Sequence, residues 1–306
     1  MKPAPFLPPA LSMPSGEPAR HDAGDFLSVL QARGLYPAPG QTNAGPTVSP
    51  AFHGSQGYAA AGHMPPQTQA TTILAFKFAD GVLVAGDRRA TAGNIVVYDR
   101  ADKVLEIDRH SVMAIAGVPA TAWEMARVLE HSFQYYRRTQ LQEMSVDGKV
   151  RALSKLLRDN FGLVMQGVGV VVPLFATYDS AGPNPDGKLY FYDVMGANFE
   201  VAEYASTGSG SPAVRGVLYY ENTWGAKPLR EYTREEALRL TLRALDTAAE
   251  ADTATGGVDR NGRIFPVIKI ITSQGITTIE DRTLRDLFNA GRHLGNQPLS
   301  AGVPVG

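Results

Sequence analysis

Short runs of apolar residues, each bounded by turn residues, predict strands in the part of the chain that begins near residue 71. Two of these runs are separated by Ala79, Asp80 and Gly81, and an Asp-Gly pair between apolar runs is a strong hairpin signal. A second pair of runs repeats this design around residues 108–110. The four predicted strands are residues 72–78, 82–85, 103–107 and 111–116. The sequence therefore predicts four short strands before any helix.

Helical periodicity begins only after these strands. Residues 121–138 and 149–166 each carry apolar side chains along one side of a helix. Further along, Thr233 and Glu236 have the spacing of a capping box at a helix start. The remaining predicted elements are strands at 170–178, 188–194, 200–205, 265–272 and 276–279, and helices at 233–250 and 281–292. Strands and helices that come in groups indicate an α+β fold, with antiparallel sheets covered by helices.

The first 70 residues differ in composition from the rest of the chain. They hold 12 of the 21 prolines and 8 of the 31 glycines, but only six of the Lys, Arg, Asp and Glu residues. A segment of this composition cannot bury a core of its own. Within it, residues 25–35 have apolar side chains at helical spacing and predict a short helix that docks on another surface. We therefore divide the chain into residues 1–70 and 71–306, with a short tail at about 293–306.

Composition and charge give no support for nucleic-acid binding, for membrane binding or for cysteine chemistry. The chain is 44% hydrophobic and 19% charged, and its formal net charge of -1 gives no sign of a surface for nucleic acid or for an anionic membrane. Its longest apolar run, residues 168–176, is about half of the ~18 residues that a spanning helix needs, and it contains Pro173. There is no cysteine, which excludes disulfides and thiolate metal sites and fits a reducing cytoplasm.

Thr71 is the first candidate for chemistry, because a threonine hydroxyl can attack a carbonyl group when a base takes its proton. The base can be the threonine's own α-amine, which requires Thr71 to become a chain terminus. Asp87 and Lys103 are charged residues that interrupt or border the apolar hairpins. A buried ammonium beside a hydroxyl lowers the hydroxyl pKa, and a carboxylate keeps that ammonium charged and in place. By itself, however, Thr-Thr before an apolar run is usually just good strand sequence.

Three glycine-containing segments fit more than one role. Gly117 ends a predicted strand, where its N–H could face an oxyanion or where it could be a plain turn residue. Residues 208–211 fit a phosphate cradle or a flexible turn, and the first is poorly supported because the lysine and spacing of a P-loop are missing. Residues 252–257 follow a predicted helix, and Gly256 and Gly257 could form its C-terminal cap.

The histidines do not support a metal site or a Ser-His-Asp triad. After residue 70 they are His110, His131 and His293, and none of them has a metal-ligand spacing or fits a Ser-His-Asp triad. No G-x-S-x-G motif is present either. We therefore expect neither a metal nor a cofactor.

Taken together, these segments resemble the catalytic β-subunits of the 20S proteasome, of the bacterial, actinobacterial type, which are threonine proteases with an N-terminal nucleophile. The resemblance covers about residues 71–290, and its motifs run in the family's order with similar spacing. The motifs are Thr71-Thr72-Ile73, Ala85-Gly86-Asp87-Arg88-Arg89, Thr91, Lys103, Ala116-Gly117, Gly208-Ser209-Gly210 and residues 252–257. The resemblance implies a four-layer αββα sandwich. It also implies that residues 1–70, whose segment 25–35 is similar to the family's propeptide helix, are removed by self-cleavage between Ala70 and Thr71.

The resemblance implies a role for each matching residue in catalysis. Thr71 would be the nucleophile and, through its α-amine, the base. Asp87 and Lys103 would lower the pKa of its hydroxyl. The Gly117 N–H would donate to the oxyanion. The residues that would surround the terminal amine are Ser209, Asp252 and Thr255.

The resemblance also implies how a substrate is held. Thr91 would bind the substrate backbone as part of an edge strand. The side chains that would line the pocket for the residue before the cleaved bond are Ala90, Ala101, Leu105, Ile115, Pro119 and Trp123. None of these side chains is charged, so a charged substrate residue would lose its hydration without gaining a partner. We therefore expect cleavage after medium or large hydrophobic residues.

The implied assembly is a homo-heptameric β ring stacked with rings of α-subunits, in the cytoplasm, with a ring-shaped ATPase that supplies unfolded proteins. Neither nucleic acid nor a membrane is an expected partner. One alternative is the HslV-type threonine protease, which also begins with Thr-Thr, although the long propeptide and residues 252–257 favour the proteasome. The other is an unprocessed structural ring subunit, because Ala70 stands where self-cleaving subunits usually have glycine. The added Cβ of Ala70 restricts the backbone bend that self-cleavage needs.

Overall fold

A computed structural model describes residues 71–92, 95–166, 169–182, 185–258 and 264–295. The predicted helix at residues 25–35 lies outside these ranges, as does most of the predicted tail, and the division at residue 70 stays a prediction. The strands are β1 (Thr72–Phe78), β2 (Gly81–Gly86), β3 (Ala90–Ala92), β4 (Ile95–Tyr98), β5 (Val104–Asp108), β6 (Ser111–Ala114), β7 (Leu174–Asp179), β8 (Asp186–Tyr192), β9 (Asn198–Glu200), β10 (Tyr204–Gly208), β11 (Val267–Thr272) and β12 (Gly275–Thr278). The helices are α1 (Pro119–Gln140), α2 (Val146–Asp159), α3 (Phe161–Val164), α4 (Ser211–Trp224), α5 (Arg234–Ala251) and α6 (Asp281–Gly295), with a 3-10 turn at Leu229–Glu231.

The strands form two five-stranded antiparallel sheets and a separate hairpin. The first sheet has the order β10-β1-β2-β11-β12, and the second has the order β5-β6-β7-β8-β9. The predicted hairpin between β1 and β2 is confirmed, because Phe78 pairs with Gly81 across a two-residue turn. All seven residues of β1 are buried, and this strand has a neighbour on each side. The strand that follows Thr71 is therefore fixed within the sheet.

Alternation of side chains along β1 explains the layers. Ile73 and Ala75 face the second sheet and belong to one apolar cluster with Val112 and Leu189. Leu74 and Phe76 face the other way and pack in a cluster with residues of α4, α5 and α6. A third cluster joins the outer face of the second sheet to α1 and α2. Two sheets packed face to face, with helices on both outer faces, form the αββα sandwich, so the predicted fold is confirmed.

The structure corrects several predicted elements. Six strands, rather than four, precede the first helix, because β3 and β4 form a small hairpin of their own. Residues 200–205 are not one strand, since they run from the end of β9 in one sheet to β10 in the other. Residues 149–166 fall on two helices that divide at Asn160. Helix α4 was not predicted at all.

Two negative findings hold for the described part of the chain. None of its helices is both long and apolar enough to cross a membrane. In the same ranges, no group of three or more His, Asp or Glu side chains is arranged to hold a metal ion.

Candidate active site

A fully buried carboxylate, Asp87, lies immediately after β2 and is the centre of the candidate site. Its Oδ1 accepts hydrogen bonds from the Thr72 N–H at 2.8 Å and from Lys103 Nζ at 2.7 Å. Its Oδ2 accepts from the backbone N–H groups of Arg89 and Gly256, both at 2.9 Å. A carboxylate has about four acceptor positions, so four donors fix its orientation completely. Asp87 therefore joins four separate stretches of chain at one point.

Lys103 is the cation of the site and is only 4% exposed. It directly precedes β5, and its carbonyl oxygen accepts the Ile115 N–H of the neighbouring strand at 2.9 Å. In addition to Asp87, its Nζ donates to the carbonyl oxygen of Arg89 at 2.5 Å. Burial lowers the pKa of Lys103, while the adjacent Asp87 carboxylate acts in the opposite direction. The result is an ammonium that is held in one place and gives up its proton more readily than an exposed lysine.

A second carboxylate, Asp252, immediately follows α5. Its Oδ2 accepts from the hydroxyls of Ser209 at 2.6 Å and Thr255 at 2.5 Å, and its Oδ1 accepts from the Ala254 N–H at 3.1 Å. Partial burial acts to raise the pKa of Asp252, but these hydrogen bonds outweigh it and the pKa is lowered. The predicted cluster of Ser209, Asp252 and Thr255 is thus brought together in the structure.

The alternative role of Gly256 and Gly257 as a helix cap is wrong. The backbone of Asp252 is already extended, so α5 ends at Ala251, five residues before Gly256. The Gly256 N–H instead donates to Asp87. This hydrogen bond brings the loop that carries Asp252 against the end of β2.

Thr71 is buried at the point where these two carboxylate clusters approach each other. Its carbonyl oxygen accepts the Ser209 N–H at 3.0 Å. This close approach requires glycine at residue 208, because a Cβ there would lie 1.7 Å from the Thr71 oxygen and φ is +100°. The next residue, Thr72, donates its N–H to Asp87, and its hydroxyl lies 2.6 Å from that of Thr255.

Arg89 has no predicted role, although it belongs to the matching motif. Its guanidinium donates from Nη1 to the carbonyl oxygens of Thr253 at 2.8 Å and Thr255 at 3.1 Å. Its own carbonyl oxygen binds Lys103. Arg89 therefore ties the Asp252 loop to the lysine. A sequence signal for this role is weak, because both of its acceptors are backbone atoms.

The residues predicted to hold the substrate lie on β3, β5 and α1 and just outside β5 and β6. Thr91 is in β3, which pairs only with β4 among the described strands and so has an open edge. Leu105 of β5 packs against the buried cluster that includes Ile115. Of the other predicted pocket residues, Ala101 is buried, Ala90 is half-buried, Pro119 begins α1 and is exposed, and Trp123 of α1 is 45% exposed. The structure leaves the substrate-binding roles of these residues as predictions.

Gly117 lies beyond the end of β6 in an isolated bridge to Val171. Val118 donates its N–H to Val170, and Ala116 accepts the N–H of Val172, so the N–H of Gly117 points away from that neighbour. Ile115, two residues earlier, donates its N–H to Lys103. Because alternate N–H groups of a strand share a direction, the Gly117 N–H points toward the side of the sheet on which Lys103 lies.

Comparison of the sequence with known proteins shows the family of the chain. A family model described as "Proteasome subunit" matches residues 67–261. The "Proteasome subunit beta" of Streptosporangium roseum is 44% identical over 214 residues, which are 69% of this chain and 72% of that protein. The "Proteasome subunit beta 2" of Thermomonospora curvata is 39% identical over 226 residues, 73% and 77% of the two chains. The "Proteasome subunit beta" of Acidimicrobium ferrooxidans is 35% identical over 277 residues, 90% and 92% of the two chains.

Proposed function

The chain belongs to the proteasome family as a β-subunit, and on that premise we propose that it is a threonine endopeptidase whose nucleophile is Thr71. The observation that carries the proposal is the buried pair formed by Asp87 and Lys103, at 2.7 Å, which also holds the N–H of Thr72. Burial of a charge is costly even when the charge is paired, and functional sites are where such costs are often accepted; here the pair holds the residue next to the candidate nucleophile.

The proposed reaction begins when residues 1–70 have been removed. The α-amine of Thr71 takes the hydroxyl proton as the oxygen attacks the substrate carbonyl carbon. The nearby charge of Lys103, kept in place by Asp87, favours the ionised hydroxyl. The peptide C–N bond then breaks, the proton passes to the leaving amine, and an ester on Thr71 remains. Water hydrolyses this ester and returns the proton to Thr71, so the nucleophile is regenerated.

The oxyanion formed by this attack needs a donor, and we assign that role to the N–H of Gly117. Its direction toward the Lys103 side of the sheet supports the assignment. Gly117 has φ +119°, and a Cβ there would lie 2.1 Å from the carbonyl oxygen of Val170, so the backbone takes this path only with glycine. Removal of one such donor typically costs about 10²–10³-fold in kcat.

Membership of the family implies that the chain assembles into proteasome rings. We propose a homo-heptameric β ring stacked with α-subunit rings in the cytoplasm, with a ring-shaped ATPase that delivers unfolded proteins. Enclosure of the site within such a particle explains how an endopeptidase with broad hydrophobic specificity spares folded proteins.

Intact-mass measurement and N-terminal sequencing of assembled particles test the proposal directly. We expect the chain to begin at Thr71 and to hydrolyse fluorogenic peptides. Particles that contain only the full-length chain and show no hydrolysis would instead establish the unprocessed structural subunit that Ala70 suggests. Partial processing would show that Ala70 slows self-cleavage without preventing it.

A further inference from the structure

One hydroxyl of the site has no role in the reaction described above, although it is fully buried beside the nucleophile. The side chain of Thr72 contacts two loops that are far apart in sequence. Its Oγ1 accepts the Gly210 N–H at 2.9 Å and lies 2.6 Å from the Oγ1 of Thr255. Thr72 is also the residue whose N–H binds Asp87 at 2.8 Å. Thr72 thus connects both carboxylate clusters.

The directions of these hydrogen bonds follow from the acceptors. Asp252 accepts, so the hydroxyl of Thr255 must give its proton to Asp252. Thr255 then has no proton left for Thr72, and Thr72 must be the donor between the two hydroxyls. The order is therefore the Gly210 N–H to Thr72, Thr72 to Thr255, and Thr255 to Asp252. A hydroxyl that accepts a hydrogen bond donates a stronger one, so each member strengthens the next.

Space at residue 210 confirms that this chain of hydrogen bonds is tightly packed. A Cβ on Gly210 would lie 2.6 Å from both the Thr72 and the Thr255 hydroxyl oxygens. No side chain larger than that of glycine fits there without displacing one of the two hydroxyls. Glycine at this position therefore lets the backbone N–H reach Thr72 at an ordinary hydrogen-bond distance of 2.9 Å.

We propose that the Thr72 hydroxyl is a positioning group for the reaction. It holds Thr255 and Asp252 in a fixed place relative to Thr71. The proposal rests on the proposed function, because it assigns a task within that site. Thr71 and Thr72 are consecutive, so a hydrogen bond that fixes Thr72 also fixes the distance from the Asp252 cluster to the nucleophile. The predicted substrate pocket on β3, β5 and α1 does not involve Thr72. Loss of the hydroxyl should therefore affect kcat rather than KM.

The test compares three variants of the full chain in assembled particles. Thr72→Val keeps the shape of the side chain and removes its hydroxyl, while Thr72→Ser keeps the hydroxyl. Ser206→Ala is the matched control, because the Ser206 hydroxyl is buried in the adjacent strand β10 and donates to the Ile73 carbonyl at 2.9 Å, outside the site. The readouts are the intact mass of the chain, and kcat and KM for a fluorogenic peptide with leucine before the cleaved bond.

We expect Thr72→Val to lower kcat by about 10-fold or more with KM within about twofold, since a misplacement of 1 Å can cost 10²-fold. Thr72→Ser and Ser206→Ala should stay within about threefold of the unchanged chain. If Thr72→Val alone fails to lose residues 1–70, the same role in self-cleavage is supported. A Thr72→Val chain with near-normal kcat, or a Thr72→Ser chain as impaired as Thr72→Val, would refute the positioning role. An unchanged chain that is neither processed nor active would refute the proposed function itself, whatever the variants do.

Discussion

Two buried lysines lie at opposite ends of strand β5, and each forms an ion pair with an aspartate. Lys103 precedes the strand and lies 2.7 Å from Asp87, while Lys149 of α2 lies 2.8 Å from Asp108, the last residue of the strand. Both lysines are 4% exposed. The two pairs are nearly the same in the burial of the lysine and in the distance between the charged groups, so neither of these quantities identifies a functional site.

The surroundings of the two pairs differ. Asp87 is closed off from solvent and takes three backbone N–H groups besides its lysine, one of them from the residue after Thr71. Asp108 is 20% exposed, and Lys149 is further held by the Ser111 hydroxyl at 3.2 Å and by the Phe133 ring at 5.8 Å from its centroid. The first pair thus converges on a candidate nucleophile, whereas the second attaches a helix to a sheet. What a buried ion pair touches therefore tells more about its function than the burial of its lysine does.

The largest expected effect comes from removal of the Thr71 hydroxyl, since the Lys103 pair converges on this candidate nucleophile and the Lys149 pair does not. Thr71→Ala should lower kcat/KM by at least about 10³-fold, because loss of one member of a catalytic unit costs nearly as much as loss of all of it. The chain should also keep residues 1–70. Fluorogenic peptide hydrolysis and intact mass measure the two results. Normal hydrolysis by this variant would place the nucleophile elsewhere in the particle.

Replacement of each lysine by methionine tests the comparison itself. Lys103→Met should lower kcat/KM by about 10³-fold in particles that still assemble, since the activating charge is lost. Lys149→Met should keep kcat/KM within about threefold and lower the free energy of unfolding by about 2 kcal/mol, between the values for exposed and for fully buried pairs. Peptide hydrolysis and denaturant titration separate the two outcomes. Equal losses of activity in both variants would remove the distinction between the pairs.

An effect of intermediate size is expected when the substrate residue before the cleaved bond is changed, because the predicted pocket for this residue lies at the Lys103 end of β5. Burial of a large apolar side chain contributes about 1.5–3 kcal/mol, so peptides with Leu, Phe or Tyr before the cleaved bond should have kcat/KM at least about 10-fold above those with Glu or Arg. Fluorogenic peptides that differ only at this residue provide the measurement. A preference for Glu or Arg would contradict the pocket formed by Leu105 and Ile115, but would leave Thr71 unaffected.

The smallest expected effect concerns a carboxylate held by hydroxyls rather than by a lysine. The pKa of Asp252 is lowered in the folded chain, so its ionised form adds stability above the unfolded pKa of about 4, and this stability is lost as the pH falls through the lower folded pKa. The drop in Tm between pH 6 and pH 3 should therefore be about 2 °C smaller in Asp252→Asn than in the unchanged chain. Asp80→Asn, in the exposed β1–β2 turn, is the control. An unchanged pH dependence in Asp252→Asn would show that these hydrogen bonds do not favour the charged form.

Strong local patterns made much of the fold predictable. The turn after β1, which Ala79, Asp80 and Gly81 indicate, and the capping box of Thr233 and Glu236 both appear where the sequence predicts them. Helix α4 was missed because it follows a Gly-Ser-Gly segment and has a weak pattern, with Val214 and Leu218 fully buried but several aromatic side chains exposed. The signal that was available is a proline in the first turn of the helix.

The candidate site was predictable as a set of side chains but not as a set of hydrogen bonds. Asp87 and Lys103 stand out in sequence because charged residues that interrupt or border apolar hairpins require a reason. Asp252 follows a helix, and its role came only from the resemblance to the family. The donors that complete the site include backbone N–H groups of Gly210 and Gly256, and any residue except proline carries such a group. Their positions depend on contacts between segments more than 130 residues apart, such as Thr72 with Gly210, where |i−j| is 138. No local pattern encodes contacts of this kind.

The position of β1 between two neighbouring strands has a consequence for the chain end that processing would create. Chain ends usually fray, and a reactive group on a fraying end spends most of its time in the wrong place. An end that begins at Thr71 would instead continue directly into a strand that is hydrogen-bonded on both sides, with the Thr71 carbonyl already bound to Ser209. Most of the conformational entropy of that end was lost when the sheet formed. The new amine would therefore appear in an ordered state, and catalysis would begin without a further ordering step.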